Sequence, residues 1–184
     1  MKYLDKVIRK WRTVVSGRYI RNGDSVLDIG CFDGYLFKKN ADKKLVNCIG
    51  IDPLLAETVY SEDYQLLKGY FPDAVPESHT FDTITLLAVL EHIPRHQQLK
   101  LSDEFFQLLN KKGRVIITVP SPKVDKILDV MTALKLVDGM SLDEHFGFSP
   151  NEVEYCFRKD QFKLLHKEKF QLGLNNLFVF EKKD

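Results

Sequence analysis

Short apolar runs, separated by glycine, proline and polar residues, dominate the hydrophobic pattern of this chain. Runs of this length predict strands, and those without polar alternation predict strands buried on both faces of a parallel sheet. Amphipathic stretches lie between several of the runs and predict helices that cover the sheet. The pattern therefore predicts a doubly wound, mostly parallel α/β fold. The predicted strands are 26–29, 46–51, 64–68, 83–89 and 114–119.

Apolar residues recur at helical spacing from position 3 to position 20, with Leu4, Ile8 and Val15 among them. We expect this helix, within residues 1–22, to pack on the sheet with a solvated basic face. The alternatives are a lip over the active site or a contact with an anionic partner. Further helices are predicted at 35–40, 54–60, 97–110, 123–137 and 150–159, and the one at 97–110 ends before Lys111-Lys112-Gly113.

The C-terminal part of the chain ends in two apolar runs, 162–171 and 175–182, which predict a hairpin. The chain of 184 residues fits one domain, 1–184. Residues 121–148 combine an amphipathic stretch with the longest loop after a predicted strand. Such loops carry substrate contacts in this class of fold, so this segment is a candidate substrate lid.

The turn after the first strand carries the first chemical signal. Gly30 ends the strand and Gly34 stands where a helix begins, an arrangement typical of a nucleotide-binding corner. A dinucleotide fingerprint needs a middle glycine at the place of Phe32, so NAD and FAD are disfavoured. The carboxylate of Asp28, just before the turn, repels phosphate and favours a cationic ligand.

The second strand ends in an acid, Asp52. A carboxylate at this place accepts hydrogen bonds from ribose hydroxyls. A ligand with a ribose, a positive charge and no phosphate fits S-adenosylmethionine.

With these segments, and with Phe81-Asp82 leading to Leu90-Glu91-His92-Ile93, the chain resembles the class I S-adenosylmethionine-dependent methyltransferases. It looks closest to the small-molecule group with Leu-Glu-His after the fourth strand. The resemblance implies a Rossmann-like sheet with an antiparallel C-terminal strand. It also implies that the cofactor binds Asp28, Gly30, Cys31, Phe32, Gly34, Asp52, Pro53, Leu54, Tyr70, Phe71, Leu87 and Glu91.

The sequence departs from this family at the third motif. Many members carry an acid there that accepts from the adenine amino group, and Tyr70 occupies that place. Tyr70 and Phe71 either stack on adenine or belong to the core, and Asp73 is a possible substitute acceptor.

Two histidines are candidates for a catalytic base if the acceptor is a hydroxyl. His92 follows the fourth predicted strand, and His145 lies in the long loop after the fifth. We favour His145, because the Leu-Glu-His segment is needed to shape the cofactor crevice. The spacing of His92, Asp143, Glu144 and His145 matches no standard ligand pattern, so we expect no metal.

Composition narrows the class of partner. A formal net charge of +1 gives no overall field that attracts nucleic acid. The three cysteines do not form a metal-binding pair and fit reduced thiols in the cytoplasm. The sequence has no apolar run long enough for a membrane span, and its charged N-terminal residues lead us to expect no signal peptide. We expect a monomer or a homodimer.

The sequence thus predicts a methyltransferase that acts on a small molecule. A cofactor-binding protein without transfer activity is an alternative, because the third-motif acid is missing. A nicotinamide-dependent oxidoreductase is a weaker one, because Phe32 replaces the pyrophosphate glycine.

Overall fold

The computed structural model describes residues 3–121 and 149–184. Within these ranges, 3₁₀ helices cover Ala41–Lys43, Leu90–His92 and Pro150–Cys156. The α-helices are α1 (Tyr3–Gly17), α2 (Tyr35–Lys39) and α3 (Arg95–Leu108). The strands are β1 (Ser25–Ile29), β2 (Val46–Asp52), β3 (Val59–Tyr60), β4 (Tyr64–Lys68), β5 (Phe81–Leu87), β6 (Leu109–Pro120), β7 (Phe162–Phe170) and β8 (Asn175–Lys182).

All described strands join one sheet in the order β3-β4-β2-β1-β5-β6-β8-β7. Strands β4, β2, β1, β5 and β6 run parallel, whereas β8 is antiparallel to β6 and β7 is antiparallel to β8. The central strand β1 pairs Leu27 with Ile49 on one side and with Ile84 on the other. The predicted mostly parallel α/β sheet with an antiparallel C-terminal strand is therefore confirmed.

Alternation along the strands divides the core into two layers. In β1, Leu27 and Ile29 join one cluster, which includes residues of α3, and Val26 joins the other, which includes residues of α1 and α2. Ile116 of β6 faces the same side as Val26, and its two neighbours face the other side. Since side chains alternate across a strand, both faces of the sheet are covered and the chemistry is left to its edges.

Two predicted helices are wrong: no residue of 54–60 is helical, and the helix at 97–110 differs in its extent. Residues 54–60 were expected to be helical, but Val59 and Tyr60 form β3, antiparallel to β4. β-Branched and aromatic residues favour this pairing, because β4 offers them an open edge. The helix expected at 97–110 ends at Leu108, and Lys111-Lys112-Gly113 lies within β6, where the ladder with β5 has an irregularity.

The predicted helix at 150–159 is a 3₁₀ helix over Pro150–Cys156. The helix expected at 123–137 lies outside the described residues. Among the helices of the described ranges, none has both the length and the apolar character that crossing a membrane requires.

Phe105 of α3 provides a test of the packing on one face. Its side chain is fully buried, and its ring lies 5.3 Å from that of Phe71 and 6.2 Å from that of Phe157. We predict that Phe105→Ala lowers the free energy of unfolding by about 3–5 kcal/mol in urea denaturation, because it leaves a cavity. Leu99 of the same helix is 64% exposed, so Leu99→Ala serves as the control and should change it by less than about 0.5 kcal/mol. Similar losses for the two variants would contradict the position of α3.

Candidate functional site

The turn after β1 is held in a conformation that requires glycine. Gly30 and Gly34 have positive φ angles of 76° and 69°. Gly30 N donates to Ile51 O of β2 at 2.8 Å, and a Cβ on Gly30 would overlap Cγ2 of Val89. The turn is therefore packed between the end of β2 and the segment that follows β5, as a nucleotide-binding corner would be.

Phe32, at the tip of this turn, has a φ of 47° and a side chain that is 54% exposed. Its backbone N–H donates to Oδ2 of Asp52 at 2.9 Å. The backbone at the position of a dinucleotide-binding glycine is thus engaged by a carboxylate, which is incompatible with a pyrophosphate at the same place.

Asp52, the last residue of β2, is buried and accepts two backbone hydrogen bonds. Oδ1 accepts from Leu54 N at 2.8 Å, and Oδ2 accepts from Phe32 N at 2.9 Å. Each carboxylate oxygen keeps a further lone pair that can accept from a ligand hydroxyl. Leu54 is 84% exposed and Pro53 is partly buried beside it, so an apolar surface adjoins this carboxylate.

Asp28 lies on β1 and is also buried. Its Oδ1 accepts from Thr85 Oγ1 of β5 at 2.6 Å. Burial raises the pKa of Asp28 to about 7, against the Thr85 hydrogen bond, which lowers it, and with a smaller contribution from the charge of Asp52. A carboxyl group with this pKa changes its ionisation near neutral pH, so a nearby cation would favour its charged form.

Glu91 lies just beyond β5. Ala88 has a φ of 59°, a strained value for a residue other than glycine, and turns the chain into the 3₁₀ helix Leu90–His92. Glu91 on this helix is 3% exposed, and its Oε2 has no hydrogen-bond partner within the described part of the chain. Burial raises the pKa of Glu91 to about 7, whereas a bond from its own backbone N–H and the charge of Arg12 lower it.

The N-terminal half of α1 lies along the same edge of the sheet. Arg9 Nη1 donates to both carboxylate oxygens of Asp33 at 2.9 and 3.0 Å, and its guanidinium lies 4.3 Å from the ring centre of Tyr35. On the other side, Gln171 Nε2 donates to Ile8 O at 2.9 Å. The helix therefore connects the turn after β1 to the turn between β7 and β8.

Arg12 was not among the predicted site residues. Its Nε is buried without a hydrogen-bond partner in the described ranges, and burial lowers its pKa while the charge of Glu91 raises it. The signal was present in the sequence, because Arg12 falls between Ile8 and Val15 on the apolar face of α1. A charged residue on that face needs a polar partner in the folded protein.

The other predicted site residues differ in how exposed their side chains are. Tyr70 is 72% exposed, whereas the ring of Phe71 packs against Phe105 in the core. Cys31 is buried, and its thiol has a raised pKa because of burial and the nearby Asp28. Leu87 is half-buried at the end of β5, and His92 is half-buried on the same turn as Glu91.

His145 and most of the candidate lid at 121–148 lie outside the described residues. Within the described ranges, no group of three or more His, Cys, Asp or Glu side chains could hold a metal ion.

Three buried carboxylates thus surround one edge of the sheet, at the ends of β1, β2 and β5. They suit a ligand with hydroxyl groups and positive charge. Arg9, the cation beside the turn, is already paired with Asp33, so it is not free to bind a phosphate. This combination agrees with the chemistry of S-adenosylmethionine, which has a ribose, a sulfonium and an ammonium group but no phosphate.

A family model described as a methyltransferase domain matches residues 2–167. Over 106 residues the chain is 31% identical to a tRNA U34 carboxymethyltransferase from Sulfurovum sp. strain NBC37-1, covering 52% of this chain and 34% of that protein. Over 109 residues it is 26% identical to a ubiquinone biosynthesis O-methyltransferase from Citrobacter koseri, covering 50% of this chain and 45% of that protein. The chain thus aligns with less than half the length of each of these relatives.

The fold is similar to that of the magnesium protoporphyrin IX methyltransferase from Synechocystis PCC 6803, solved with bound SAH. The TM-score is 0.62 at 15% sequence identity, and the alignment covers 97% of this chain and 83% of the other. At this identity the comparison supports the fold.

The close approach at Gly30 yields a prediction. Gly30→Ala should combine left-handed backbone strain of about 1–2 kcal/mol with the overlap against Val89. Gly23→Ala is the matched control, because Gly23 has a φ of 77° and no atom within 4 Å of a Cβ. We expect Gly30→Ala to lower the free energy of unfolding by at least about 1 kcal/mol more than Gly23→Ala.

A double-mutant cycle with Val89→Ala should recover this excess, since it removes the overlapping methyl group. Equal losses for Gly30→Ala and Gly23→Ala would show that Val89 does not confine the turn.

The raised pKa of Asp28 predicts a pH dependence of stability. Its value of about 7 lies above the ordinary 3.8, so the folded protein binds the proton more tightly than the unfolded chain does. The contribution is fully present below about pH 4 and is lost as the pH rises through 7. Through Asp28, the free energy of unfolding of the parent protein should fall by on the order of 2–4 kcal/mol between pH 4 and pH 8, and Asp28→Asn should abolish this fall.

Urea denaturation at several pH values measures this effect, with the exposed Asp42→Asn as the control. The Glu91 contribution persists in all three proteins. If the pH dependence of Asp28→Asn matched that of the parent, Asp28 would not be the buried titrating group.

Proposed function

The chain belongs to the methyltransferase-domain family, and on that premise we propose that it transfers a methyl group from S-adenosylmethionine to a small-molecule acceptor. The family match confirms the predicted methyltransferase domain. It gives no support to the nicotinamide-dependent alternative. Membership of the Leu-Glu-His subgroup remains a prediction.

The observation that carries the cofactor assignment is the buried carboxylate of Asp52 at the end of β2. We assign it to the ribose hydroxyls, with Pro53 and Leu54 as apolar walls for the adenine. The cofactor supplies the reactive sulfonium-bound methyl group, and the protein supplies binding, orientation and a dry site. Asp28 and the backbone of 30–32 are proposed to hold the methionine end.

A small-molecule acceptor is supported by the balance of charge. Arg9, Arg18 and Arg21 pair with Asp33, Glu168 and Glu181. The charges of these three arginines are thus balanced by acids, and the net charge of the chain is +1. The similarity to a ubiquinone biosynthesis O-methyltransferase supports the same class of acceptor.

The similarity to a tRNA U34 carboxymethyltransferase favours a second candidate, a tRNA acceptor. Binding of tRNA that weakens steeply with salt, with a slope that reports several phosphate contacts, would support it over the small molecule. We propose a cytoplasmic location, since Cys31, Cys48 and Cys156 are all free thiols in the structure.

The ribose role of Asp52 yields a direct test. Asp52→Asn keeps one side-chain oxygen for a backbone N–H but loses acceptor capacity for ribose. We predict that S-adenosylmethionine and S-adenosylhomocysteine both bind about 5- to 150-fold more weakly, the equivalent of about 1–3 kcal/mol. Calorimetric titration measures the affinities, and circular dichroism checks the fold.

The exposed acid Asp63 provides the control, and Asp63→Asn should bind both ligands like the parent. Affinity within twofold of the parent in Asp52→Asn would remove Asp52 from the ribose site. Absence of binding to the parent at millimolar concentration would overturn the cofactor assignment as a whole.

A further inference from the structure

We propose that Glu91 and Arg12 together bind the reacting hydroxyl group of the acceptor, with Glu91 taking its proton and Arg12 holding its oxygen. The inference rests on the proposed function and deepens it, because it names oxygen as the methylated atom. It also replaces histidine with glutamate as the base.

The geometry places this pair at the mouth of the cofactor site. Glu91 lies two residues after Val89, and Val89 packs directly over Gly30 in the turn assigned to the cofactor. Arg12 lies one helical turn after Arg9 on α1. Arg9 forms an ion pair with Asp33, which lies in the turn after β1 that is assigned to the cofactor. Both charged groups therefore reach the same edge of the sheet from opposite sides, one from beyond β5 and one from α1.

The hydrogen bonding of the pair is incomplete. Glu91 is only 3% exposed, and its Oε2 has no hydrogen-bond partner among the described residues. Nε of Arg12 is buried and has no partner there either, although each group acts on the other through its charge. Buried polar atoms are normally satisfied, so a polar group that is not part of the described chain is expected to complete the pair.

The chemistry of the pair selects a hydroxyl. The group must donate to a carboxylate and accept from a guanidinium, and must still have a lone pair for the methyl carbon. A hydroxyl oxygen has two lone pairs and meets all three requirements. A neutral amine has a single lone pair, so it cannot accept from Arg12 and attack at once. A carboxylate acceptor would be repelled by Glu91, and a thiol is a weak donor and a weak acceptor.

The step balances without a further reactant. The hydroxyl proton moves to Oε2 of Glu91, and a lone pair of the acceptor oxygen forms the new O–C bond. The C–S bond breaks and its electron pair stays on sulfur, so the products are a methyl ether and a neutral thioether. Glu91 then returns its proton to solvent. Nε–H of Arg12 stabilises the negative charge that develops on oxygen.

The pKa of Glu91 fits the role of a base and narrows the chemical class of the acceptor hydroxyl. Among the described titratable groups, Arg12 of α1 acts on Glu91 through its charge, His92 is the next residue on the same 3₁₀ helix, and Asp28 lies on the neighbouring strand β1. Burial raises the pKa of Glu91 to about 7, and Arg12 lowers it. A base with this pKa matches a phenolic or enolic hydroxyl, with a pKa near 10, far better than an alkyl alcohol.

The first arm of the test needs no turnover. ¹³C NMR of glutamate carboxyl carbons, with Glu91→Gln identifying the resonance, should show a titration midpoint near pH 7 in the cofactor-free protein. Arg12→Met should move the midpoint upward, because it removes a cation. Lys10→Met, exposed on the same helix, should leave it unchanged. A midpoint near the ordinary glutamate value, or one insensitive to Arg12→Met, would overturn the pairing.

The second arm measures methyl transfer to four probes that differ in the reacting group: phenol, aniline, thiophenol and benzoate. We expect transfer to phenol, with a rate that rises with pH up to about 7. At saturating S-adenosylmethionine, Glu91→Gln should lower kcat by roughly 10²-fold or more and abolish the pH dependence. Arg12→Met should lower kcat by roughly 10-fold or more and shift the profile to higher pH.

Other results contradict the proposal in distinguishable ways. Transfer only to aniline, thiophenol or benzoate, or to none of the four by protein that binds S-adenosylmethionine, removes the hydroxyl assignment and leaves the cofactor assignment intact. Loss of the pH dependence in His145→Ala but not in Glu91→Gln would return the base to the histidine. A parent protein that does not bind S-adenosylmethionine fails the proposed function itself.

Discussion

The site depends on the cost of burying carboxylates at the carboxyl edge of the sheet. Asp28 and Asp52 lie at the carboxyl ends of β1 and β2, and Glu91 lies just beyond the neighbouring strand β5. Each of the three has less than a tenth of its surface exposed. Only Asp52 receives two backbone N–H groups, whereas burial holds the pKa of the other two near 7. A cationic cofactor would offset this cost, because it would favour the charged form of these carboxyl groups.

The N-terminal helix completes this edge rather than merely covering the sheet. Val15 anchors α1 in the core, while Arg9 is paired with the cofactor turn and Arg12 acts on Glu91. One helix therefore links the turn proposed for the cofactor to the residues proposed for the acceptor. A change in the position of α1 would alter both, so the two parts of the site are mechanically coupled.

The sequence predicted the strand ends well, since a buried apolar run followed by an acid or a glycine is a local signal. Asp28, Gly30 and Asp52 were identified in this way, and so was the order in which the residues at the ends of the parallel strands follow one another along the chain. Arg12 was missed, because its partner Glu91 is 79 residues distant and a basic helix face is usually solvated. The helix expected at 54–60 failed for a similar reason: the open edge of β4, which local propensity does not describe, decides its pairing.

The most direct test of this account is the proton balance of cofactor binding. Calorimetric titration of S-adenosylmethionine in two buffers of different ionisation enthalpy, at pH 6.5, gives the number of protons exchanged. Because a cation lowers the pKa of the buried carboxyls from about 7, the account predicts release of more than about half a proton per site. Binding without proton release, or with proton uptake, would contradict the claim that these carboxylates receive the charge of the cofactor.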